Sequence, residues 1–262
     1  MSSDGWAGPI VPRYVADDVQ DRLVTAIALG VYVPGQRLPT ERELAAMLGV
    51  SRTSVRGALQ HLTDSGYLEV RRGRNGGYFV LADWGPGSAE HVSRHLVTNW
   101  AEFEALFDAR TLIEPLIAST AAERCTGADV TAINEALAAY LSAPDHDASR
   151  LADYALHHAI ATATKNPILV ETSVELRARI SLNLGAEPYT DEVRRKAVEQ
   201  HRQLVEAVTG RRAEEAATIA ADHFTLSEGL MRRLVQRAKT EDQRSANGAA
   251  PTREAPKLGE AT

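Results

Sequence analysis

The chain has 262 residues, of which 44% are hydrophobic and 5% aromatic, and its formal net charge is −6. This length and hydrophobic content suffice for two domains with cores, and the single cysteine, Cys125, excludes a disulfide framework and a cysteine-rich zinc site. Neither a signal-like start nor a run of about 18 apolar residues occurs, so we expect a cytoplasmic protein that does not enter a membrane.

The charge is unevenly distributed along the chain. Residues 1–80 contain nine arginines, no lysine and eight acidic residues, a net charge of +1, which leaves −7 for residues 81–262. Within residues 51–76, five arginines accompany two acidic residues. The basic charge is therefore concentrated where a local motif can present it to a polyanion.

The N-terminal third has the pattern of three helices followed by a hairpin. Apolar residues at helical spacing predict a first helix over residues 15–29. Thr40 and Glu43 form a capping box for a second helix, and Ser51 is placed to cap a third. The short turn between the last two helices has helix-turn-helix spacing, and residues 67–82 predict two strands around a glycine-rich tip, a wing.

A glycine- and proline-containing segment, residues 83–90, is interpreted as a linker between two domains. It separates a winged helix-turn-helix domain over 15–82 from an all-helical domain over 91–238, for which we expect an antiparallel bundle of six or seven helices. Residues 1–14 are expected to be flexible, and residues 239–262, which have almost no large apolar side chains, to form a disordered tail. The predicted fold class is mainly α, with the small β-hairpin as its sheet.

Several polar side chains in the N-terminal third are placed to contact DNA. A helix in the major groove reads bases through residues near its N-terminus, and arginine is the commonest specific reader because it binds guanine with two hydrogen bonds. The candidate residues are Ser51, Arg52, Thr53 and Arg56 in the third helix, Arg42 in the second, and Arg72 and Arg74 in the wing. The alternative interpretation is a solvated arginine-rich face with ordinary surface ion pairs.

Two strings in this region carry a resemblance: PGQRLPTERELAAMLGVSRTSVRGALQHLTDSGYLEV and RRGRNGGYFV. They resemble the winged-helix domain of the GntR family of bacterial transcription regulators over about residues 15–81, with the strings PG-x-x-LP-x-ER-x-LA and SR-x-x-VR preserved. The resemblance implies operator contacts for Arg42, Ser51, Arg52, Thr53, Arg56 and Arg72. Gly57 departs from the family, which usually has glutamate there, and glycine inside a helix costs roughly 1 kcal/mol relative to alanine.

Three histidines and one carboxylate lie on apolar helix faces in the C-terminal part. Asp153 and His157 are about 40° apart on a helical wheel, whereas His158 falls on another face. His201 and His223 lie among apolar residues at helical spacing in two later helices. A lone inward histidine is usually a core residue, but imidazoles and a carboxylate on facing helices are a ligand set for zinc, the first candidate, or for Ni, Mn or Fe.

Arg110 is a further polar residue on an apolar face. Its helical neighbours include Leu106, Ile113 and Ile117, so its guanidinium is expected to point into the bundle. A buried guanidinium needs an anion, because an unpaired charge there is very unfavourable. The partner is either a protein carboxylate such as Glu114 or a carboxylate-bearing effector held by two hydrogen bonds.

The helical part also resembles the C-terminal effector domain of the FadR subfamily of GntR regulators, over about residues 90–238. The metal signature of that domain is matched by Asp153, His157, His201 and His223, with gaps of 4, 44 and 22 residues. The resemblance implies that these four residues bind a divalent metal ion and that a small organic acid completes its coordination. It also matches Arg110 to the inward arginine of the first long effector helix.

The sequence thus predicts a metal-containing, effector-responsive repressor that binds a palindromic operator as a homodimer, since one winged helix reads only a half-site. The effector is expected to act through residues 83–90 on the spacing of the two recognition helices. One alternative is a constitutive dimeric DNA-binding protein whose helical domain is structural. The other is a metal-dependent enzyme, although four protein ligands would crowd the ion and no separate general base stands out.

Overall fold

The computed structural model describes residues 14–74, 76–83, 85, 87–182 and 190–248, so most of the predicted flexible start lies outside the described residues. The architecture is mainly helical with one two-stranded antiparallel sheet, which confirms the predicted fold class. The N-terminal part contains α1 (Val15–Ala28), α2 (Glu41–Leu48), α3 (Arg52–Asp64), β1 (Leu68–Arg71) and β2 (Gly77–Val80).

Local capping sets the geometry of α2 and α3. The Thr40 hydroxyl accepts from the Glu43 N–H at 3.3 Å and the Glu43 carboxylate accepts from the Thr40 N–H at 2.8 Å, so the predicted capping box is confirmed. Gly49 ends α2 with a φ of 67°, a left-handed conformation that glycine adopts without strain. Ser51 Oγ then accepts from the Ser54 N–H at 3.1 Å and starts α3 as predicted.

The wing is the hairpin of β1 and β2. The turn before α2 forms backbone hydrogen bonds with the edge of this hairpin, at β2. We call residues 31–38 the pre-α2 turn. The Val80 N–H donates to the Gln36 carbonyl at 2.9 Å, and the Leu38 N–H donates to the Tyr78 carbonyl at 2.8 Å. These hydrogen bonds join the pre-α2 turn to the wing as one structural unit.

The segment predicted as a linker, residues 83–90, is helical at its end. There α4 (Ser88–Val92) begins, and it continues into a π-helical turn (Ser93–Val97). The Ser88 side chain is fully buried and its Oγ lies 2.7 Å from the Tyr67 hydroxyl oxygen, which ties the start of α4 to the winged domain. Residues 88–90 of the predicted linker are therefore helical and packed in the structure, whereas the division of the chain into two domains stays a prediction.

A buried carboxylate joins α1 to the same segment. Asp21 is 1% exposed, and its Oδ1 lies 2.6 Å from His91 Nδ1 and accepts a hydrogen bond from Arg94 Nη2 at 2.9 Å. A carboxylate buried in this way needs such partners to offset its lost hydration. The three side chains therefore hold α1 against residues 88–97.

The remaining helices form the bundle: α5 (Trp100–Arg124), α6 (Gly127–Leu141), α7 (His146–Ala163), α8 (Pro167–Ile180), α9 (Asp191–Thr209) and α10 (Ala213–Gly248). With α4, the part of the chain described after residue 87 has seven α-helices, as predicted. Helix α10 packs along α5 and α9, and α7 contacts α5, α6 and α8. None of the described helices has the length and apolar character needed to cross a membrane.

Helix α10 extends further than the sequence predicts. Residues 239–248, expected to belong to a disordered tail, continue the helix, and the rest of that tail, residues 249–262, lies outside the described residues. The lack of large apolar side chains indicated disorder, but half of the ten residues of this segment are good helix formers. An ion pair one turn apart, between Arg237 Nε and Glu241 Oε1 at 3.1 Å, also supports the helix.

Candidate metal centre and DNA interface

Three histidines from three helices meet in the interior of the bundle. His157 on α7, His201 on α9 and His223 on α10 are 5%, 0% and 7% exposed. The Nε2 atoms are 3.0 Å apart between His157 and His201, 3.1 Å between His201 and His223, and 3.2 Å between His223 and His157. In the described part of the chain, these three side chains form a group that could hold a metal ion. We call this group the histidine triad.

The protonation of the histidine triad suits a cation. His223 Nδ1 lies 3.1 Å from Gln200 Oε1, which only accepts hydrogen bonds, so Nδ1 carries the proton and Nε2 presents a lone pair. Burial, reinforced by neighbouring positive charge, lowers the pKa of His157 and of His223 well below the usual value, so both rings are neutral at pH 7. A metal ion at the centre of the triad would be bound through the Nε2 lone pair of each ring, in place of the Nε2–Nε2 contacts that the three rings make without it.

The spacing of the histidine triad also suits metal–imidazole bonds. Nitrogens bound about 2.1 Å from one ion lie about 3.0 Å apart when the bonds meet at right angles, and about 3.4 Å apart at the tetrahedral angle. The observed separations of 3.0 to 3.2 Å fall within this range and closer to the right-angled arrangement. Such a set of nitrogens leaves one side of an ion open to further ligands.

The fourth predicted ligand, Asp153, lies at the edge of the histidine triad. Its Oδ1 is 3.5 Å from His201 Nε2 and 4.0 Å from His157 Nε2. Its Oδ2 faces away, 3.4 Å from Arg177 Nη1. The structure therefore brings the three histidines together and places Asp153 beside two of them, while His158 is exposed on another face of α7, as the helical wheel indicated.

Two buried arginines accompany the histidine triad. Arg110 on α5 is 2% exposed, and its Nη1 donates to Ser227 Oγ at 3.1 Å. The Arg110 guanidinium also lies 4.2 Å from the centroid of the Phe224 ring, which itself packs 5.0 Å from the ring of His157. Arg177 on α8 is 7% exposed. The predicted inward direction of Arg110 thus agrees with its burial.

The fixed charges of this region cancel. Arg110 and Arg177 are positive, whereas Glu114, 4% exposed, and Asp153, with a side chain 15% exposed, are negative. A divalent ion at the neutral histidine triad would leave a net charge of +2 in a poorly hydrated interior, where uncompensated charge is unfavourable. The site is therefore electrostatically suited to a metal ion together with an anion.

The predicted DNA-contacting residues lie on the surface of the N-terminal part. The exposed residues are Arg42, Ser51, Arg52, Thr53, Arg56, Arg72 and Arg74. Arg56 donates to Glu41 of α2 from Nε at 3.1 Å and from Nη2 at 2.8 Å, and this hydrogen bonding lowers the pKa of Glu41. Arg52 Nη2 lies 3.9 Å from the same carboxylate, too far for a hydrogen bond, so Arg52 is held more loosely. A DNA phosphate or base would therefore compete with Glu41 for Arg56.

Two family models match the chain: residues 15–80 match bacterial regulatory proteins of the gntR family, and residues 105–226 match the FCD domain. The Uxu operon transcriptional regulator of Escherichia coli (strain K12) is 33% identical over 219 residues, which are 80% of this chain and 83% of that protein. This chain belongs to the gntR family. The galactonate operon transcriptional repressor of Escherichia coli (strain K12) is 28% identical over 208 residues, 75% of this chain and 91% of that protein.

This gntR-family protein is a DNA-binding transcription regulator, and the pairing of a gntR domain with an FCD domain confirms the resemblance to the FadR subfamily. The histidine triad, Asp153 and Arg110 all lie within the residues that match the FCD domain. Among solved structures, Streptococcus agalactiae GntR is 24% identical with a TM-score of 0.42, over 83% of this chain and 99% of that chain.

Sequence reasoning missed two buried charged residues of this gntR-family regulator. Arg177 lies three residues before the buried Ile180 and so shares its helix face, which is the signal that identified Arg110. Asp21 similarly precedes the buried Val24 by three residues on α1. Both could have been recognised by asking which charged residues share a face with apolar ones.

Proposed function

We propose that this regulator is a repressor whose affinity for operator DNA is controlled by a small organic acid bound at a metal ion in the bundle. The observation that carries the proposal is the convergence of three buried histidine Nε2 atoms, 3.0 to 3.2 Å apart. His157, His201 and His223 would hold the ion, with Asp153 as a fourth ligand. This donor set favours zinc, with Ni, Mn and Fe as alternatives.

Charge supports a carboxylate as the effector. A bound divalent ion supplies positive charge that the cancelling protein charges do not neutralise. Arg110 would hold one effector carboxylate through two parallel hydrogen bonds, a geometry that a guanidinium offers and an ammonium does not. The name of the galactonate operon repressor supports repression as the direction of control.

We propose that the DNA-reading part acts in a cytoplasmic homodimer. Each winged domain would read one half of a palindromic operator, with Arg52 and Arg56 at the start of α3 contacting bases and Arg72 and Arg74 in the minor groove. Ser51 and Thr53 beside them, and Arg42 on α2, would contact bases or the DNA backbone. Effector binding would change the spacing of the two recognition helices through residues 83–90, and a coupling of about 1–3 kcal/mol would change operator affinity about 5- to 150-fold.

We infer that the metal ion serves regulation rather than catalysis. The two relatives described above are operon regulators by name, and Asp153 as a fourth protein ligand would limit the access of water to the ion. Turnover of small organic acids by the metal-loaded protein would contradict this inference.

A thermal-shift screen of small carboxylates tests the proposal. Full-length protein is screened with a bound divalent metal and again after treatment with EDTA. We expect at least one carboxylate to stabilise the metal-loaded form alone, because the anion needs the charge of the ion. A protein that binds no metal under metal-replete conditions would favour a purely structural helical domain.

A further inference from the structure

The helix that carries Asp153 and His157 also touches the DNA-reading part. At its N-terminal end, Asp147 Oδ1 accepts a hydrogen bond from Gln36 Nε2 of the pre-α2 turn at 2.5 Å. Arg150, one turn further along α7, lies 3.4 Å from Asp147 through its Nη2. We call the contact of Asp147 and Arg150 with the pre-α2 turn the α7 contact.

An aromatic ring completes the α7 contact. The Arg150 guanidinium carbon lies 5.5 Å from the centroid of the Tyr32 ring, within the range of a cation–π interaction. Tyr32 belongs to the pre-α2 turn and is 1% exposed. Two side chains of α7 and two of the pre-α2 turn therefore form a small interface between the bundle and the winged domain.

One stripe of α7 connects this interface to the histidine triad. Arg150, Asp153 and His157 follow one another at intervals of three and four residues, which places them on the same face of the helix. At 1.5 Å per residue, Arg150 and His157 are separated by about 10 Å along the helix axis. A shift or rotation of α7 at the histidine triad is thus transmitted to Arg150 by a rigid element two turns long.

On the winged-domain side of the interface, Gln36 is bonded directly to the wing. The Gln36 carbonyl accepts from the Val80 N–H of β2 at 2.9 Å, while Gln36 Oε1 accepts from the Val33 N–H at 3.0 Å and fixes the amide side chain. The amide of Gln36 therefore has two roles, because Oε1 holds the pre-α2 turn and Nε2 holds α7.

Three buried polar atoms of the α7 contact have no hydrogen-bond partner among the described residues. The Tyr32 hydroxyl is buried with no hydrogen-bond partner among the residues described, and burial raises its pKa to about 12. Nε and Nη1 of Arg150 are likewise buried without hydrogen-bond partners in the described part of the chain. Buried donors without partners lose their hydration uncompensated, which opposes the closed contact.

We propose that Asp147 and Arg150 are positioning residues that couple the histidine triad to the wing through the pre-α2 turn. Occupation of the triad shifts α7, and the α7 contact then tightens or opens. The inference rests on the proposed function, because it requires a metal ion at the triad. It supplies a route for the signal that does not pass through residues 83–90.

Hydrogen–deuterium exchange on the full-length protein tests the coupling, with Zn²⁺ as the probe and EDTA as the reference. In the wild type, Zn²⁺ is expected to change the exchange rates of residues 146–150 and of the pre-α2 turn. Gln36→Glu keeps the acceptor for Val33 but sets a carboxylate against Asp147. We expect it to reduce the Zn²⁺ effect on the pre-α2 turn by about 2- to 30-fold while the effect on residues 146–150 remains.

A rescue variant and a control variant distinguish loss of the α7 contact from a general disturbance of the fold. Adding Asp147→Asn to Gln36→Glu removes the repulsion and should restore the effect at the pre-α2 turn. Gln60→Ala, which removes an exposed amide that bonds Asp64 at 2.9 Å on α3, should leave it unchanged. If Gln36→Glu fails to fold by circular dichroism, Asp147→Ala breaks the same hydrogen bond from the α7 side and carries the test.

Three results would overturn the coupling alone, and a fourth would overturn the proposed function as well. The inference fails if a variant without the α7 contact keeps the full Zn²⁺ effect at the pre-α2 turn. It also fails if Zn²⁺-loaded wild type changes only residues 146–150, or neither segment. Wild-type protein that retains no Zn²⁺ by metal analysis would instead contradict the proposed function, and the coupling with it.

Discussion

Replacing His157 with alanine should remove most of the stabilisation of this regulator by Zn²⁺, whereas replacing the adjacent His158 should leave it intact. His157 is 5% exposed, and its Nε2 lies within 3.2 Å of the Nε2 atoms of His201 and His223. His158 is exposed on another face of α7. The two variants change the same residue type one position apart, so they are matched in all but their place in the fold.

The magnitude follows from binding linkage. A ligand at 100 times its Kd stabilises the folded state by about 2.7 kcal/mol. At about 2–4 °C per kcal/mol for a chain of this size, Zn²⁺ should raise the Tm of the wild type by about 5–11 °C. A hundredfold loss of affinity at the same Zn²⁺ concentration leaves about 0.4 kcal/mol, a shift of about 1 °C.

Differential scanning calorimetry of metal-stripped protein, with and without a fixed concentration of Zn²⁺, measures both quantities. The Tm without metal is compared separately, because His157→Ala also leaves a cavity that destabilises the protein whether or not metal is present. The relevant quantity is the difference between the two Tm values of each variant. Equal Zn²⁺ shifts in His157→Ala and His158→Ala would refute the reasoning.

Four further predictions concern separate parts of the molecule. Without metal, the free energy of unfolding measured in urea should fall as the pH drops below about 6.5. His157 and His223 have lowered pKa values in the folded state, so below this pH the unfolded state binds more protons than the folded state. Equal stability at pH 7.5 and 5.5 would contradict this prediction. Arg52→Ala should weaken operator binding and relax base preference by about 1–3 kcal/mol in fluorescence anisotropy, and unchanged selectivity would argue against a reading role. Arg110→Gln should lower carboxylate affinity in calorimetric titrations of metal-loaded protein, and full affinity in this variant would show that the effector binds elsewhere. Gly57→Ala should raise the free energy of unfolding by about 0.5–1 kcal/mol, since a Cβ there meets only ordinary contacts and alanine favours the helix. A lower Tm in this variant would contradict the prediction.

Features encoded by local sequence were predictable. The capping box of Thr40 and Glu43 and the N-cap at Ser51 depend on residues three apart, so the helix-turn-helix could be identified from a short stretch of sequence. The inward direction of His201 and of Arg110 follows from helical periodicity for the same reason. Only the fold itself could bring side chains from three helices to one point.

Features that depend on distant partners were not predictable. Nothing in the sequence around Asp147 indicates a special role. Its partner Gln36 is 111 residues away in sequence, and only the fold places Gln36 Nε2 2.5 Å from Asp147 Oδ1. Ser88 was assigned to a linker. Its burial against Tyr67 is a contact between residues 21 apart in sequence, which a local pattern does not show. The extra turns of α10 were missed because helix propensity was outweighed by the absence of large apolar residues.

Anomalous X-ray diffraction at the absorption edge of the bound metal tests the central claim most directly. Crystals of the full-length protein, grown with a divalent metal, should give one strong anomalous peak per chain about 2.1 Å from the Nε2 atoms of His157, His201 and His223. A peak at any other place, or no peak in metal-replete crystals, would contradict the proposal that the histidine triad of this regulator is its metal centre.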